Sequence, residues 1–249
     1  MNNVVAISEP NGGPKRTLAT AAYDRLRHDI LHCVLRPGER LRLQQLADNY
    51  NFGIGSIREA LYRLVGDSLV IAEEQRGFSV TPLSRDSLLD LLRMRLVLEE
   101  HGIRESIKHG SVDWEVGVVS AFHRLAKSGN GDGADPRVVD SAWERHHADF
   151  HRALVAGCNS PLLLQMRETV YLQGDRYRHF YLAYVAGERD HLAEHKMLTE
   201  AALRRDEEVA VRLIRIHLET TVKTLLGYEM PEAVKKTTAN KDSTTRRFG

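Results

Sequence analysis

The sequence has few cysteines, no long apolar run and no large excess of either charge, and each absence argues against a class of protein. Only Cys33 and Cys158 occur in 249 residues, so we expect no disulfide framework and a reducing compartment, the cytoplasm. No apolar run approaches the roughly 20 residues that a membrane-spanning helix needs. Residues 1–16 lack the basic and apolar segments of a secretion signal. The formal net charge of +1 does not by itself indicate a nucleic-acid partner.

The common catalytic motifs are absent as well. The sequence contains no HExxH zinc-protease pattern, no Gly-rich phosphate-binding loop and no Ser-centred nucleophile motif. Glu194 adjoins His195, but neighbours on a helix point about 100° apart, which does not suit a general base beside a metal-bound water. We therefore expect a binding protein and not an enzyme.

Apolar periodicity divides the chain into two units. Residues 17–84 show a helix, a short helix, a tight turn at 51–53, another helix and a β-hairpin. Residues 86–226 carry helical patterns almost throughout, beginning with a long amphipathic helix capped by Ser84 or Asp86. We expect a mainly α protein, with an N-terminal winged helix-turn-helix and a C-terminal antiparallel all-α bundle. Residues 1–16 are expected to form a disordered arm, and residues 229–249 a disordered basic tail.

The order of elements in residues 17–84 is typical of winged-helix units, which place the helix after the tight turn in the major groove of DNA. That helix begins near Ile54. Its early side chains and the hairpin tip can reach bases or phosphates. The candidate DNA contacts are Gln44, Gly55, Ser56, Arg58, Arg63, Arg76 and Gly77. The alternative is a set of solvated charges on a small α/β unit, because residues 15–84 hold ten basic and eight acidic side chains.

Three segments of this unit resemble the DNA-binding domain of the GntR family of bacterial regulators. They are LRHDILHCVLRPGERL, LADNYNFGIGSIREALYRLVGDSLV and RGFSVTPLS, in the family's order and spacing. The family usually has Ser-Arg where this chain has Gly53-Ile54. Because Ile54 cannot bond a phosphate or a base, the resemblance implies that recognition depends more on Ser56, Arg58 and the hairpin.

Histidine is abundant, with twelve in the chain and three in HHADFHRALV, residues 146–155. His147 and His151 are four residues apart and share a helix face, which fits either a metal-binding pair or a solvated surface. His195 and His217 lie beside apolar stripes, where a histidine is either a satisfied core group or a metal ligand. The residues alone leave these alternatives open.

The C-terminal unit resembles the FCD domain of the FadR-like branch of the GntR family, through FHRAL, Glu194-His195 and His217-Leu218. In many such domains an aspartate and three histidines bind a divalent metal, and the aspartate stands four residues before the FH histidine. His147 occupies that place, so the resemblance implies the ligand set His147, His151, His195 and His217. Zinc is the expected ion, with nickel, iron or manganese as alternatives. His146 and Asp149 are expected to be bystanders or to support the ligands.

Within that branch, WERHHADFHRALVAGCNSPLLLQMRETV and the following RYR resemble the carbon-starvation-induced regulator group. The resemblance implies a homodimer on a palindromic operator in double-stranded DNA. It also implies a ligand-responsive repressor with a small carboxylate or dicarboxylate effector such as glutarate. Four neutral imidazoles would leave a divalent ion without balancing charge, which favours an anionic ligand.

Arginines are the expected partners of such an anion. Arg95 is the first candidate, and Arg176 with Tyr177 is the second. The alternatives are an internal ion pair of Arg95 with Glu99 and a solvated Arg176. An alternative function is a metal sensor in which the ion itself is the signal.

Overall fold

The computed structural model describes residues 17–128, 141–181 and 190–227 of the chain. The expected arm at 1–16 and the expected tail at 229–249 lie outside these residues. Within them the elements are α1 Leu18–Leu31, β1 Arg40–Leu41, α2 Leu43–Tyr50, α3 Ile54–Gly66, β2 Val70–Glu73, β3 Gly77–Val80, α4 Arg85–His109, α5 Val112–Lys127, α6 Ser141–Val155, a 3₁₀ turn Ala156–Cys158, α7 Pro161–Tyr181, α8 His191–Leu203 and α9 Glu207–Leu226.

The N-terminal unit is built around α3, which packs on α1. The fully buried face of α3 consists of Ile57, Ala60, Leu61 and Leu64, which recur at helical spacing. Asn51 adopts a left-handed backbone conformation in the turn before α3. The three strands form an antiparallel sheet in the order β1-β3-β2, and the hairpin between β2 and β3 is the wing. The pairing of the two-residue strand β1 with β3 is a feature that the periodicity does not predict.

The C-terminal unit consists of the helices α4 to α9, with α4 packed against α7, α9 and the 3₁₀ turn. Ser84 caps α4, since its hydroxyl accepts a hydrogen bond from the amide of Ser87. Ser111, Asp190 and Asp206 cap α5, α8 and α9 in the same way. One apolar core joins these helices, and Phe150 of α6 is fully buried within it.

Helix α7 also holds the two units together. The Arg176 guanidinium donates to the carbonyl oxygen of Thr81 at 2.6 Å. The Tyr177 hydroxyl accepts from the amide of Ser84 and donates to its carbonyl, each at 3.1 Å. Leu172 packs against the apolar core of the N-terminal unit. The start of the bundle and the end of the winged unit are therefore fixed to the same helix.

The expected fold class is confirmed: a winged helix-turn-helix precedes an all-α bundle. In the described ranges, no helix combines the length and the apolar character needed to cross a bilayer.

Candidate metal centre and nucleic-acid interface

Four histidines from three helices converge inside the bundle. His147 and His151 lie on α6, His195 on α8 and His217 on α9. One ring nitrogen of each lies within 4.8 Å of the corresponding nitrogens of the other three. Their exposed fractions are 7%, 0%, 1% and 4% in that order. The structure thus brings together the four residues that the resemblance implies, with their rings directed away from solvent.

Hydrogen bonds orient two of these rings. Nδ1 of His217 donates to the Glu194 carboxylate at 2.7 Å, which leaves Nε2 as the nitrogen with a lone pair. Nδ1 of His147 is hydrogen-bonded to the Tyr171 hydroxyl at 3.2 Å. A carboxylate behind a histidine is a common support for a metal ligand, because it fixes the tautomer and raises the basicity of the other nitrogen.

The cluster favours neutral imidazoles. Burial, together with the charges of neighbouring imidazoles and of Arg95, holds the pKa of His147 and of His151 well below its usual value. Nε2 of His151 lies 3.3 Å from Nε2 of His195, and at most one of these nitrogens can donate to the other. Nδ1 of His151 is buried without a hydrogen-bond partner among the described residues. Neutral, convergent imidazoles with lone pairs to share are a donor set that fits a zinc-like divalent ion.

Three guanidinium groups pack against the aromatic rings of Tyr171 and Trp143, which line this cluster. Those of Arg95 and Arg167 each lie 4.7 Å from the centre of the Tyr171 ring. That of Arg178 lies 5.2 Å from the ring of Trp143, which stacks on His147 at a centroid distance of 4.8 Å. Three guanidinium groups therefore lie beside the imidazoles, with Glu99 and Asp175 as their acidic partners.

All three of these guanidinium groups have buried N–H groups that make no hydrogen bond to the described residues. Within the described ranges, Nη1 of Arg178 and Nε of Arg95 make no hydrogen bond. Nη1 and Nη2 of Arg167 also make none, although its Nε donates to Glu99 at 3.0 Å. Arg95 lies 3.6 Å from the same Glu99 oxygen, which is an ion pair without a hydrogen bond. Both roles considered for Arg95, ion pair and anion contact, are thus compatible with its position.

The second pair of candidate effector contacts lies away from the four imidazoles. Arg176 and Tyr177 join α7 to Thr81 and Ser84, at the junction of the two units, and make no described contact with the four imidazoles. The helical period explains this placement, because residues 176 and 177 are rotated by roughly 140° and 120°, in opposite directions, from Tyr171. Arg178 is within about 20° of Tyr171 on the same measure. Once Tyr171 is known to line the cluster, this spacing places Arg178 on the same face of α7.

The remaining polar residues near HHADFHRALV are less involved. The Asp149 carboxylate accepts a hydrogen bond from Arg152 at 2.9 Å and is half exposed. His146 is partly buried, and its Nδ1 has no hydrogen-bond partner in the described part of the chain. Neither belongs to the group of four converging imidazoles. The support that Glu194 gives to His217 could not be read from the sequence, because the two lie on different helices.

Most of the candidate DNA contacts are exposed on the winged unit. Gly55 and Arg58 are exposed on α3, and Ser56 is half-buried. Arg63 is exposed, but its guanidinium lies 4.1 Å over the Tyr23 ring and donates to Thr20. Ile54 is 40% exposed at the start of α3, in the place where the family usually has an arginine.

The wing and the helix before α3 carry the other candidates. Arg76 is exposed at the tip, and Gly77 has φ +86°, a backbone conformation that favours glycine. Arg40 donates to the carbonyl oxygen of Arg76 at 2.8 Å, so it supports the tip from β1. Gln44 is exposed on α2 and donates to Asp48 at 3.0 Å.

Comparisons with known proteins agree with this architecture. Residues 18–80 match the bacterial regulatory proteins of the gntR family, and residues 90–220 match the FCD domain. The chain is 38% identical over 207 residues to the HTH-type transcriptional regulator BphR of Paraburkholderia xenovorans (strain LB400), covering 83% of this chain and 84% of BphR. It is 37% identical over 204 residues to the HTH-type transcriptional repressor GlaR of Escherichia coli (strain K12), covering 80% of this chain and 92% of GlaR.

Solved structures share the fold. The E. coli protein McbR/YncC superposes with a TM-score of 0.70 at 20% identity, over 85% of this chain and 98% of that one. A GntR regulator from Rhodococcus sp. RHA1 gives 0.67 at 21% identity, over the same shares of the two chains. The relatives are named as transcription regulators and not as enzymes, in line with the expectation from the motifs. The chain belongs to the GntR family of bacterial transcriptional regulators and carries a C-terminal FCD domain.

Proposed function

We propose that this regulator is a repressor whose bundle binds a divalent metal ion together with a small carboxylate effector, and whose affinity for DNA depends on that effector. One observation carries the proposal: four buried imidazoles from α6, α8 and α9 converge beside guanidinium groups that have unused N–H donors. The relative GlaR is named a transcriptional repressor, which supports repression over activation.

The donor set supports a transition-metal ion. His147, His151, His195 and His217 supply only nitrogen, which suits zinc and also nickel, copper and iron. Imidazoles carry no charge to balance the ion. A bound divalent ion would supply Lewis acidity for a carboxylate oxygen, and this chain supplies the walls and the charges around that oxygen.

The guanidinium groups favour an anionic effector over the ion alone. Nη1 of Arg178 and Nε of Arg95 are buried donors, and leaving such donors without an acceptor costs about 1–3 kcal/mol each. A second carboxylate group of the effector can accept from them. This supports a short dicarboxylate such as glutarate, and it places metal sensing second, because a metal sensor has no use for these donors.

The winged units act in pairs in this proposal. Met94 and Val97 are exposed apolar side chains on one face of α4, three residues apart, and are candidates for a two-fold interface. A symmetric dimer would present its two α3 helices to two half-sites of a palindromic operator about one helical turn apart. The effector then changes operator affinity by favouring one relative arrangement of the two α3 helices.

Metal binding is tested by removing two ligands from different helices. The double variant His151→Ala/His195→Ala should lose one equivalent of zinc per chain in equilibrium dialysis of purified protein. His123→Ala removes an exposed imidazole from α5 and should retain the wild-type stoichiometry. A double variant with full wild-type zinc content would refute the assignment of the ligands.

Effector control is tested with a fluorescent operator fragment. Glutarate should change the operator affinity of the zinc-loaded protein by about 5- to 150-fold, the range of typical coupling energies. Arg178→Gln should raise the glutarate concentration needed for half of that change. An affinity that responds to zinc but not to glutarate or related dicarboxylates would favour the metal sensor, and one that responds to neither would leave a constitutive DNA binder.

A further inference from the structure

A second cluster of metal-ligand side chains lies where the two units meet. His32 follows α1 of the winged unit, Glu144 lies on α6 and His179 on α7. One ligand atom of each lies within 4.8 Å of the ligand atoms of the other two. Nε2 of His32 is 3.2 Å from one Glu144 oxygen, and Nδ1 of His179 is 2.9 Å from the other. We call this group the seam cluster.

The outer nitrogens of both seam imidazoles face oxygen acceptors. Nδ1 of His32 donates to the carbonyl oxygen of His28 at 2.8 Å, since a carbonyl can only accept. Nε2 of His179 lies 3.3 Å from an Asp175 carboxylate oxygen. Such partners behind a histidine are the usual support of a metal ligand, because they fix the tautomer that directs a lone pair inward.

When the nitrogens that face away from Glu144 carry the ring protons, the nitrogens that face it, Nε2 of His32 and Nδ1 of His179, have no proton to donate to it. In the neutral ring each inner nitrogen would direct a lone pair at the Glu144 carboxylate, which itself has only lone pairs to offer. The arrangement needs positive charge between nitrogen and oxygen. Two protons, one on each ring, supply it, and so does one divalent cation.

We propose that the seam cluster is a second metal site, in which His32, Glu144 and His179 bind one divalent ion of the zinc class. The set of two imidazoles and one carboxylate is a common zinc donor set. Ligand atoms about 2.0–2.2 Å from a tetrahedral ion lie roughly 3.4 Å from each other. The two nitrogen–oxygen distances, 3.2 Å to one oxygen of Glu144 and 2.9 Å to the other, are shorter than this separation by about half an ångström or less.

The site joins parts of the molecule that are distant in sequence. His32 belongs to the unit that carries the DNA-reading helix α3, and α1 packs directly on α3. Glu144 is on α6, the helix that also carries His147 and His151. An ion held here would fasten the winged unit to the bundle, and a shift of α6 would be transmitted to α1 through shared ligands.

Zinc stoichiometry of the purified, metal-stripped full-length protein tests the proposal. Titration calorimetry against a weak competing chelator should give two equivalents per chain for the wild type. His32→Gln should bind one, because it removes a seam ligand that is 31% exposed and can be replaced without opening the core. Glu144→Gln should also bind one. His123→Gln on α5 is the matched control and should bind two.

The same experiment tests the bundle site and the seam site independently of each other. His151→Ala/His195→Ala should retain one equivalent, and adding His32→Gln to it should remove that one. Wild-type protein that binds a single equivalent, unaffected by His32→Gln, would overturn the seam site and leave the bundle site intact. A single equivalent that is lost with His32→Gln and retained without the bundle histidines would support the seam and overturn the bundle site.

Discussion

At the scale of single residues, Glu194 is positioned to determine how well His217 binds a metal. Its carboxylate accepts the Nδ1 proton of His217 at 2.7 Å, and removing such a partner typically lowers metal affinity about 10- to 100-fold. Glu194→Gln should weaken zinc binding at the bundle site by that factor, as measured by competition with a fluorescent indicator. Glu200→Gln, on an exposed position of the same helix, should leave it unchanged. Equal affinities for the two variants would contradict a supporting role for Glu194.

The sequence identifies some site residues better than others. His147 and His151 are neighbours on one helix, so their spacing alone places them on one face. His195 and His217 required the family resemblance, because no periodicity relates α8 to α9. Arg178 shares a helix face with Tyr171, but the sequence does not show that Tyr171 lines the cluster. The seam cluster could not be found either, since no periodicity relates Glu144 on α6 to His179 on α7, and His32 reaches them only through the packing of the winged unit on the bundle.

At the scale of elements, the close approach of α4 to the end of α6 depends on Gly102. A Cβ there would lie 3.0 Å from Cγ1 of Val155 and 3.3 Å from a methyl of Leu163. Overpacking of this kind costs about 1–3 kcal/mol, which outweighs the gain of up to about 1 kcal/mol in helix propensity from alanine. Gly102→Ala should therefore lower the free energy of unfolding of the bundle.

Gly117 on α5 is the matched control for that substitution. It is exposed, and a Cβ there meets nothing within 4 Å, so Gly117→Ala should stabilise the bundle slightly. Both tryptophans, Trp114 and Trp143, lie in the bundle, and their fluorescence during urea unfolding reports on this unit. If Gly102→Ala proves as stable as Gly117→Ala, the α4 contact has more room than the structure indicates.

A separate prediction concerns the first residue of α3, the helix expected to enter the major groove of DNA. Ile54 is exposed where the GntR family usually has an arginine, so Ile54→Arg should add a phosphate contact. The logarithm of DNA affinity should then fall more steeply with the logarithm of salt concentration, by about one unit for each α3 bound. Val116→Arg adds the same charge on an exposed face of α5 and should leave the slope unchanged. Identical slopes in the two variants would mean that the start of α3 does not approach the DNA backbone.

Helices and the winged unit could be predicted at this scale because their apolar positions recur at fixed intervals, as in α3. The strand β1 could not, because two residues are too short for any periodicity. Its existence depends on pairing with β3, a contact between residues about 40 positions apart. The expected cap at Ser84 is the one that the structure contains.

At the scale of the whole molecule, the junction of the two units should respond to pH when metal is removed. Burial opposes ionisation of Glu144, but hydrogen bonds from His179 and His32 outweigh it and lower the pKa of Glu144 to about 2. Burial lowers the pKa of His179, but bonds to Asp175 and Glu144 outweigh it, and the net shift is upward. The bond to Glu144 likewise raises the pKa of His32 above its usual value, against burial. Among the described residues, His28, Asp175 and Arg178 also lie beside the seam cluster, and Cys33, Arg176 and Tyr177 lie at the same junction of the two units.

The sign of the effect follows from these directions. The depressed pKa of Glu144 stabilises the fold above about pH 4.5, and this contribution is lost as pH falls toward 2. The raised pKa values of His32 and His179 stabilise it below about pH 6.5, and their contribution is lost as pH rises through the folded values. In the presence of a chelator, Glu144→Gln should thus be most destabilising between about pH 4.5 and 6.5, by on the order of 1–3 kcal/mol. Urea unfolding of the wild type and of Glu144→Gln at pH 5.5 and pH 8 checks this. If the variant loses as much unfolding free energy at pH 8 as at pH 5.5, the junction is not held by these charges.

The central claim is that the imidazoles of α6, α8 and α9 bind one divalent ion to which a carboxylate can add. X-ray absorption at the zinc edge of the zinc-loaded His32→Gln protein measures it most directly, because this variant lacks the seam site. We predict scattering from three or four imidazole rings, and a change in the nearest shell of atoms when glutarate is added. A shell made mostly of oxygen, with one imidazole or none, would contradict the account.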